Sequence, residues 1–278
     1  MQTQLREILR FLKDPNIFLT KKSDIPPTKG LLYAIANKLG MYFIFIIALG
    51  VVSLAIKAGT GFNLFALFTD GRADVNDLRR EYFMALIYAP VVEELLFRSV
   101  LGLTRLGFWL SVSFISMLVF PVLLRFVPDD PALYLLFPYL LCYVLLALVL
   151  SKILGRQTNT LIEKYLRPNF RWLVYASIVG FGFMHLSNFQ QLTVWHIVLV
   201  PILTFPQLIG GVFMSFVRVN YGLGYAMALH ALGNAYPTLL GLMSKNGYTH
   251  YLLLVMILVG YSIYKLWRYS KGPKIVGG

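Results

Sequence analysis

Eight stretches of the chain are apolar over roughly the length that crosses a bilayer: residues 31–57, 81–104, 107–127, 132–154, 172–188, 192–218, 220–243 and 249–268. A helix of about 20 apolar residues spans the hydrocarbon core. Within lipid, each backbone N–H and C=O must be satisfied inside a helix or a closed barrel. The expected fold is therefore all-α: a polytopic membrane helical bundle of about eight transmembrane helices. Composition agrees, since 13% of residues are charged and 58% hydrophobic, against about 25% charged in a soluble domain. The sixth stretch contains Pro201 and Pro206, so a kink or break is expected there.

Charge predicts the orientation. The chain carries 25 Lys and Arg against 12 Asp and Glu, and the cytoplasmic loops of membrane proteins collect the cations. With the N-terminus inside, Arg6, Arg10, Lys13, Lys21, Lys22 and Lys29 fall on the cytoplasmic side. So do Arg105, Lys152, Arg156, Lys164, Arg167, Arg171, Arg218 and the tail cations Lys265, Arg268, Lys271 and Lys274. The opposite side holds Arg72, Arg79, Arg80 and Lys245, with Arg125 near a helix end, and Asp70, Asp74 and Asp77 offset the first three. A missed helix would scramble this alternation. The pattern predicts a multi-pass protein of the plasma or bacterial inner membrane, with both termini cytoplasmic. No continuous basic face with interleaved aromatics accompanies the net charge of +13, so no nucleic-acid partner is expected. The single cysteine, Cys142, offers no disulfide framework and no cysteine metal site.

Residues 1–30 are polar, basic and proline-containing, without the short apolar core and cleavage site of a signal peptide. Within them Leu5, Ile8, Leu9 and Leu12 form one apolar helical stripe among Arg6, Arg10 and Lys13. That spacing predicts an amphipathic helix lying on anionic headgroups. The bundle then occupies 31–268 and a basic cytoplasmic tail 269–278, with neither an internal repeat nor a second soluble domain.

Glu93 and Glu94 lie side by side inside the second apolar stretch, where each charge costs about 2.5–3.5 kcal/mol to insert. On a helix Glu94 and Arg98 share a face and can pair. Glu93 points about 100° away, beside Phe97 and with no local cation. A carboxylate stripped of water is a competent general base. His185 ends the fifth stretch, one turn after Phe181. His230 and Asn234 point together from the seventh, and both can donate to a developing oxyanion. A glutamate base, a histidine that orients a water and a His/Asn pair facing a carbonyl oxygen make a coherent amide-hydrolysing site. His196 and His250 lack comparable partners and read as structural or interfacial. No Gly-x-Ser-x-Gly surrounds Ser99, Ser111, Ser113 or Ser215, so a serine nucleophile is not expected. By rise per residue His230 lies about 15 Å from its helix start and His185 about 20 Å, a mismatch that a later start of the fifth helix would remove.

Glu93-Glu94-x-x-x-Arg98, Phe181-x-x-x-His185 and His230-x-x-x-Asn234, in that order on separate apolar stretches, resemble the motifs of the CPBP family of intramembrane proteases. That family includes CAAX prenyl endopeptidases and the bacteriocin-processing or immunity proteins called Abi. The resemblance covers about residues 80–240. It implies that Glu93 activates water with His185, that His230 and Asn234 stabilise the oxyanion, and that Glu94, Arg98 and Phe181 support them. The implied substrate is a membrane-associated peptide or protein, met in the bilayer. Zinc could use Glu93, His185 and His230. However, no His-Glu-x-x-His is present and a metal-free scheme already uses all three, so no cofactor is expected. Two other readings stand beside the protease. One is a non-proteolytic scaffold, immunity or regulatory protein of the same fold; the other is a proton-coupled transporter, which the missing repeat weakens.

Overall fold

The structure is a computed structural model that describes residues 1–61, 82–123, 133–188 and 199–245, together with Gly260, Tyr261 and Tyr264. The loop cations and acids from Asp70 to Arg80, Arg125, His196, His250, most of the eighth apolar stretch and the tail lie outside the described residues. The described residues are helical, with no strand among them.

Helix α1 (Gln2–Lys13) and the short α2 (Ile17–Thr20) precede α3 (Pro27–Thr60). A π-turn, Met84–Tyr88, runs straight into α4 (Ala89–Phe97). Then come α5 (Arg105–Leu123), α6 (Leu133–Ile153), and α7 (Gly155–Leu161), which a second π-turn continues over Ile162–Leu166. Helix α8 (Phe170–Met184) ends in a 3-10 turn, His185–Asn188. Helices α9 (Val200–Leu203), α10 (Phe205–Tyr221) and α11 (Leu223–Lys245) complete the order. The break expected from Pro201 and Pro206 falls at Thr204, between α9 and α10, and each proline sits in the first turn of its helix, where its missing N–H is harmless.

Helix α3 has the length and apolar composition of a membrane span; Pro138–Ile153 reaches that standard only together with Gly155–Leu166, from which it is bent by 87°. The second apolar stretch, 81–104, is not one continuous helix. The α-helix stops at Phe97, and a 3-10 turn, Val100–Gly102, lies between it and α5. Leu103 takes a left-handed φ of 49°. Gly107 then packs so closely on the Ser99 carbonyl that a β-carbon there would overlap it.

Helix α10 is the hub, packed against α1, α3, α8 and α11. Phe213, Met214, Phe216 and Val217 are buried on it, and Gly210 and Gly211 let neighbouring side chains approach its backbone. The α1 stripe is divided. Ile8 is buried with Gln4 and Phe11, and Phe11 meets Phe18 and Phe216 edge-on at 5.6 and 5.7 Å. Leu9 and Leu12 stay exposed among Arg6, Arg10 and Lys13. The buried face thus runs through Gln4, Ile8 and Phe11, because Gln4 finds polar partners inside: its amide donates to the Gly30 carbonyl and accepts from Asn37.

Candidate active site

Three helices, α4, α8 with its closing turn, and α11, bring the expected residues together. The last turn of α4 carries Glu93, Glu94 and, just beyond it, Arg98. Arg98 Nη1 lies 3.6 Å from Glu94 Oε1 and both side chains are wholly inaccessible, as their spacing of four predicts. Glu93 faces elsewhere: its Oε2 is 3.7 Å from His230 Nε2 and 3.9 Å from His185 Nε2. The helical geometry that separates the two carboxylates therefore gives them different partners.

Both imidazoles are oriented through their other nitrogen. His230 Nδ1 is 3.0 Å from Glu94 Oε1, and His185 Nδ1 is 2.8 Å from the Phe181 carbonyl. Both acceptors lack a proton, so each Nδ1 donates and each Nε2 presents a lone pair toward Glu93. Three acceptors converging at these distances are too far apart to bond directly but suit a bridging water. Its two protons can go to Glu93 and to one imidazole. Glu93 Oε2 has no hydrogen-bond partner among the described residues.

Phe181 joins the parts. Its ring meets His185, His230 and Phe97 edge-on, with centroids 4.7, 5.5 and 5.9 Å away. The Arg98 guanidinium lies over its face at 4.0 Å. The chain end of α4 is held from two sides. Ser177 of α8 donates to the Phe97 carbonyl at 2.8 Å. Arg218 of α10 donates to the carbonyls of Arg98 and Ser99 at 2.8 and 3.1 Å. Those carbonyls also accept the Leu101 and Gly102 N–H groups of the turn that follows α4, at 3.2 Å each, so Arg218 adds a charged donor to carbonyls just past the helix end. Arg218 reads in sequence as a topology charge, and no local signal marks it as a cap.

Asn234 follows His230 by one turn and is already engaged: its Nδ2 donates to the Ala85 carbonyl at 2.8 Å. The reason lies in α4. In the π-turn the Ala89 N–H bonds to Met84 rather than to Ala85. The next donor along, residue 90, is a proline with no N–H. Ala85 is thereby left with a free carbonyl, and the asparagine fills it, keeping its second N–H for another acceptor.

The depth mismatch between the histidines does not come from a misplaced start: α8 begins at Phe170, two residues before Trp172, and His185 lies past its end in the 3-10 turn. The donor set Glu93, His185 and His230 is of a kind zinc accepts. A tetrahedral site with bonds of 2.0–2.1 Å places its donors about 3.3 Å apart, and these are wider. Among the described residues no group of three such side chains closes to metal spacing. Sequence reading missed a further buried charge, Lys38 of α3, because a lone lysine in a long apolar stretch carries no motif.

Comparison of the chain with known protein families, with curated proteins and with solved structures finds no match.

Proposed function

We propose that the chain is an intramembrane endopeptidase that hydrolyses a peptide bond of a membrane-associated peptide or protein, by the glutamate-water chemistry its motifs share with the CPBP family. The observation that carries this reading is Glu93 Oε2 facing two oriented imidazole Nε2 atoms at 3.7 and 3.9 Å. A water held there gives one proton to Glu93 while its oxygen attacks the scissile carbonyl carbon. The second N–H of Asn234 is the donor available to the resulting oxyanion. Glu93 then returns the proton to the leaving nitrogen as the C–N bond breaks. Glu94 and Arg98 keep His230 in one tautomer and one orientation. His230 thus acts here beside the water rather than as a first donor to the oxyanion, since its Nδ1–H is committed to Glu94.

A multi-pass bundle, with the site inside it, is part of the proposal. Ile44, Val51 and Leu54 on α3 and Ile153 on α6 are 68, 63, 70 and 70% exposed, within a broad apolar surface of the kind water-soluble monomers avoid. Lipid is the solvent that suits it. The test is cleavage of a quenched-fluorescent peptide library by the purified protein in detergent, wild type beside Glu93→Gln. Cleavage abolished by Glu93→Gln with normal folding is expected. A variant that cleaves as well as wild type sinks the proposal, and a well-folded wild type that cleaves nothing favours the scaffold reading.

A further inference from the structure

Helix α1 does not present the stripe its sequence suggests. Ile8 is turned inward with Gln4 and Phe11, which leaves Leu9 and Leu12 exposed among Arg6, Arg10 and Lys13. Two leucines bury too little area to hold a helix on a bilayer. The rest of the surface comes from the start of α8. The Tyr175 hydroxyl donates to the Leu12 carbonyl at 2.9 Å, across 163 residues of sequence, and the Arg171 N–H donates to Asn16 Oδ1 at 3.2 Å. Tyr175 meets the Trp172 ring edge-on at 5.8 Å, and the Arg171 guanidinium lies 5.3 Å from the centre of that ring. Ile17 of α2 and Trp172 are 50 and 59% exposed. The end of α1, α2 and the first turn of α8 thus meet, and each adds an exposed apolar side chain.

Hydrogen bonds fix the level of this surface in the bundle. Lys22 donates to the Val219 carbonyl at 2.8 Å and the Ser23 N–H to Asn220 Oδ1 at 2.7 Å, where α10 ends. Gln4 reaches the Gly30 carbonyl where α3 begins. Trp172 is in turn the foot of an exposed apolar stripe that runs along α8 through Val179 and Phe183. A tryptophan at the foot of such a stripe suits the boundary between hydrocarbon and headgroups. The charge around it is one-sided. Arg6, Arg10, Lys13, Lys164 and Arg171 are exposed on α1, on the π-turn before α8 and on α8 itself. The acids on this stretch are Glu7, Asp14 and Glu163, and Glu163 is paired with Arg167 at 2.8 Å. Exposed cations interleaved with apolar side chains match a leaflet that carries negative charge. We infer that α1, α2 and the first turn of α8 form one docking surface for anionic phospholipid headgroups. The inference rests on the bundle lying in a bilayer and is independent of proteolysis.

Quenching of Trp172 fluorescence tests this in the full chain, reconstituted into vesicles of phosphatidylcholine and phosphatidylglycerol in equal parts. Bromine is carried on the acyl chains of one lipid or the other, and the Trp172 signal is the difference between wild type and Trp172→Phe. Brominated phosphatidylglycerol is expected to quench Trp172 more than brominated phosphatidylcholine does. Arg10→Gln with Lys13→Gln, both on α1, should lower that preference at a ring on α8, each cation counting for up to about fivefold. Lys57→Gln, at the other end of α3, should leave it unchanged. Arg6→Gln with Arg10→Gln repeats the measurement should the first pair not fold. Equal quenching by the two lipids overturns the inference, and so does a preference that survives removal of the α1 cations. Quenching by neither turns the surface away from the bilayer, toward an acidic protein partner, and also overturns it. Flotation of the chain with the vesicles reports separately that the bundle is in the bilayer. A chain that floats but shows no lipid preference at Trp172 therefore sinks the docking surface alone, and one that does not float sinks the bilayer reading with it.

Discussion

Replacing Phe181 by leucine keeps an apolar side chain of similar reach and removes the ring. What disappears is specific: a guanidinium 4.0 Å above the ring face and three edge-on contacts, to His185, His230 and Phe97. A desolvated cation–π contact is worth about 2 kcal/mol, and each aromatic pair at the low end about 0.5 kcal/mol. Phe181→Leu is therefore expected to cost about 3.5 kcal/mol, most of it shared with Arg98. Alanine is the poorer probe, because the cavity alone costs about 3–5 kcal/mol whatever the ring was doing. The assay is reversible unfolding in mixed micelles of wild type, Phe181→Leu, Arg98→Met and the double variant. The cycle should return a coupling of about 2 kcal/mol between the two residues. A total cost below about 1 kcal/mol, or a coupling within the usual error of about 0.5 kcal/mol, refutes the claim that Phe181 binds the arginine and orders the histidines.

Three further outcomes follow from the same geometry. Glu94→Gln strands the fully buried Arg98 without its partner, which should cost about 3–5 kcal/mol in the unfolding assay. Arg218→Gln withdraws a charged donor from two carbonyls at the end of α4 and should cost about 2 kcal/mol, with faster amide exchange confined to residues 98–103. Gly233→Ala places a β-carbon on the Lys38 ammonium and should lose about 1–3 kcal/mol along with cleavage. Gly224→Ala on the same helix meets nothing within 4 Å and should be neutral or slightly stabilising; equal effects at both glycines would show that Lys38 does not occupy that path.

The pairing of side chains was legible where spacing alone determines which of them meet. Glu94 with Arg98, and Glu93 turned away from both, follow from 100° per residue and need no tertiary information. That His185 and His230 both face Glu93 was only an expectation, because it depends on how α4, α8 and α11 pack. The role of Glu94 in orienting His230 was not readable for the same reason. Lys38 and Arg218 escaped because each acts across more than a hundred residues of sequence, at a target that is a glycine or a carbonyl and leaves no pattern. The amphipathic N-terminal helix was found, but its faces were misassigned: Gln4 counts as polar by composition and is buried by virtue of its partners. The second apolar stretch reads as continuous because apolar content does not register where a helix stops, here at Phe97.

The defect in α4 also bears on how such a site can change. Pro90 leaves one carbonyl without a donor, and Asn234, on a helix far along the chain, answers it; the jig that aims the amide is an error in someone else's ladder. Repairing that ladder by replacing the proline would let Ala85 close its own bond and release Asn234 to swing. Replacing Asn234 would leave the carbonyl bare. Neither change is tolerable by itself, so the two positions are expected to drift as a unit, and a shift of the proline by one residue would re-aim the amide with no substitution on α11.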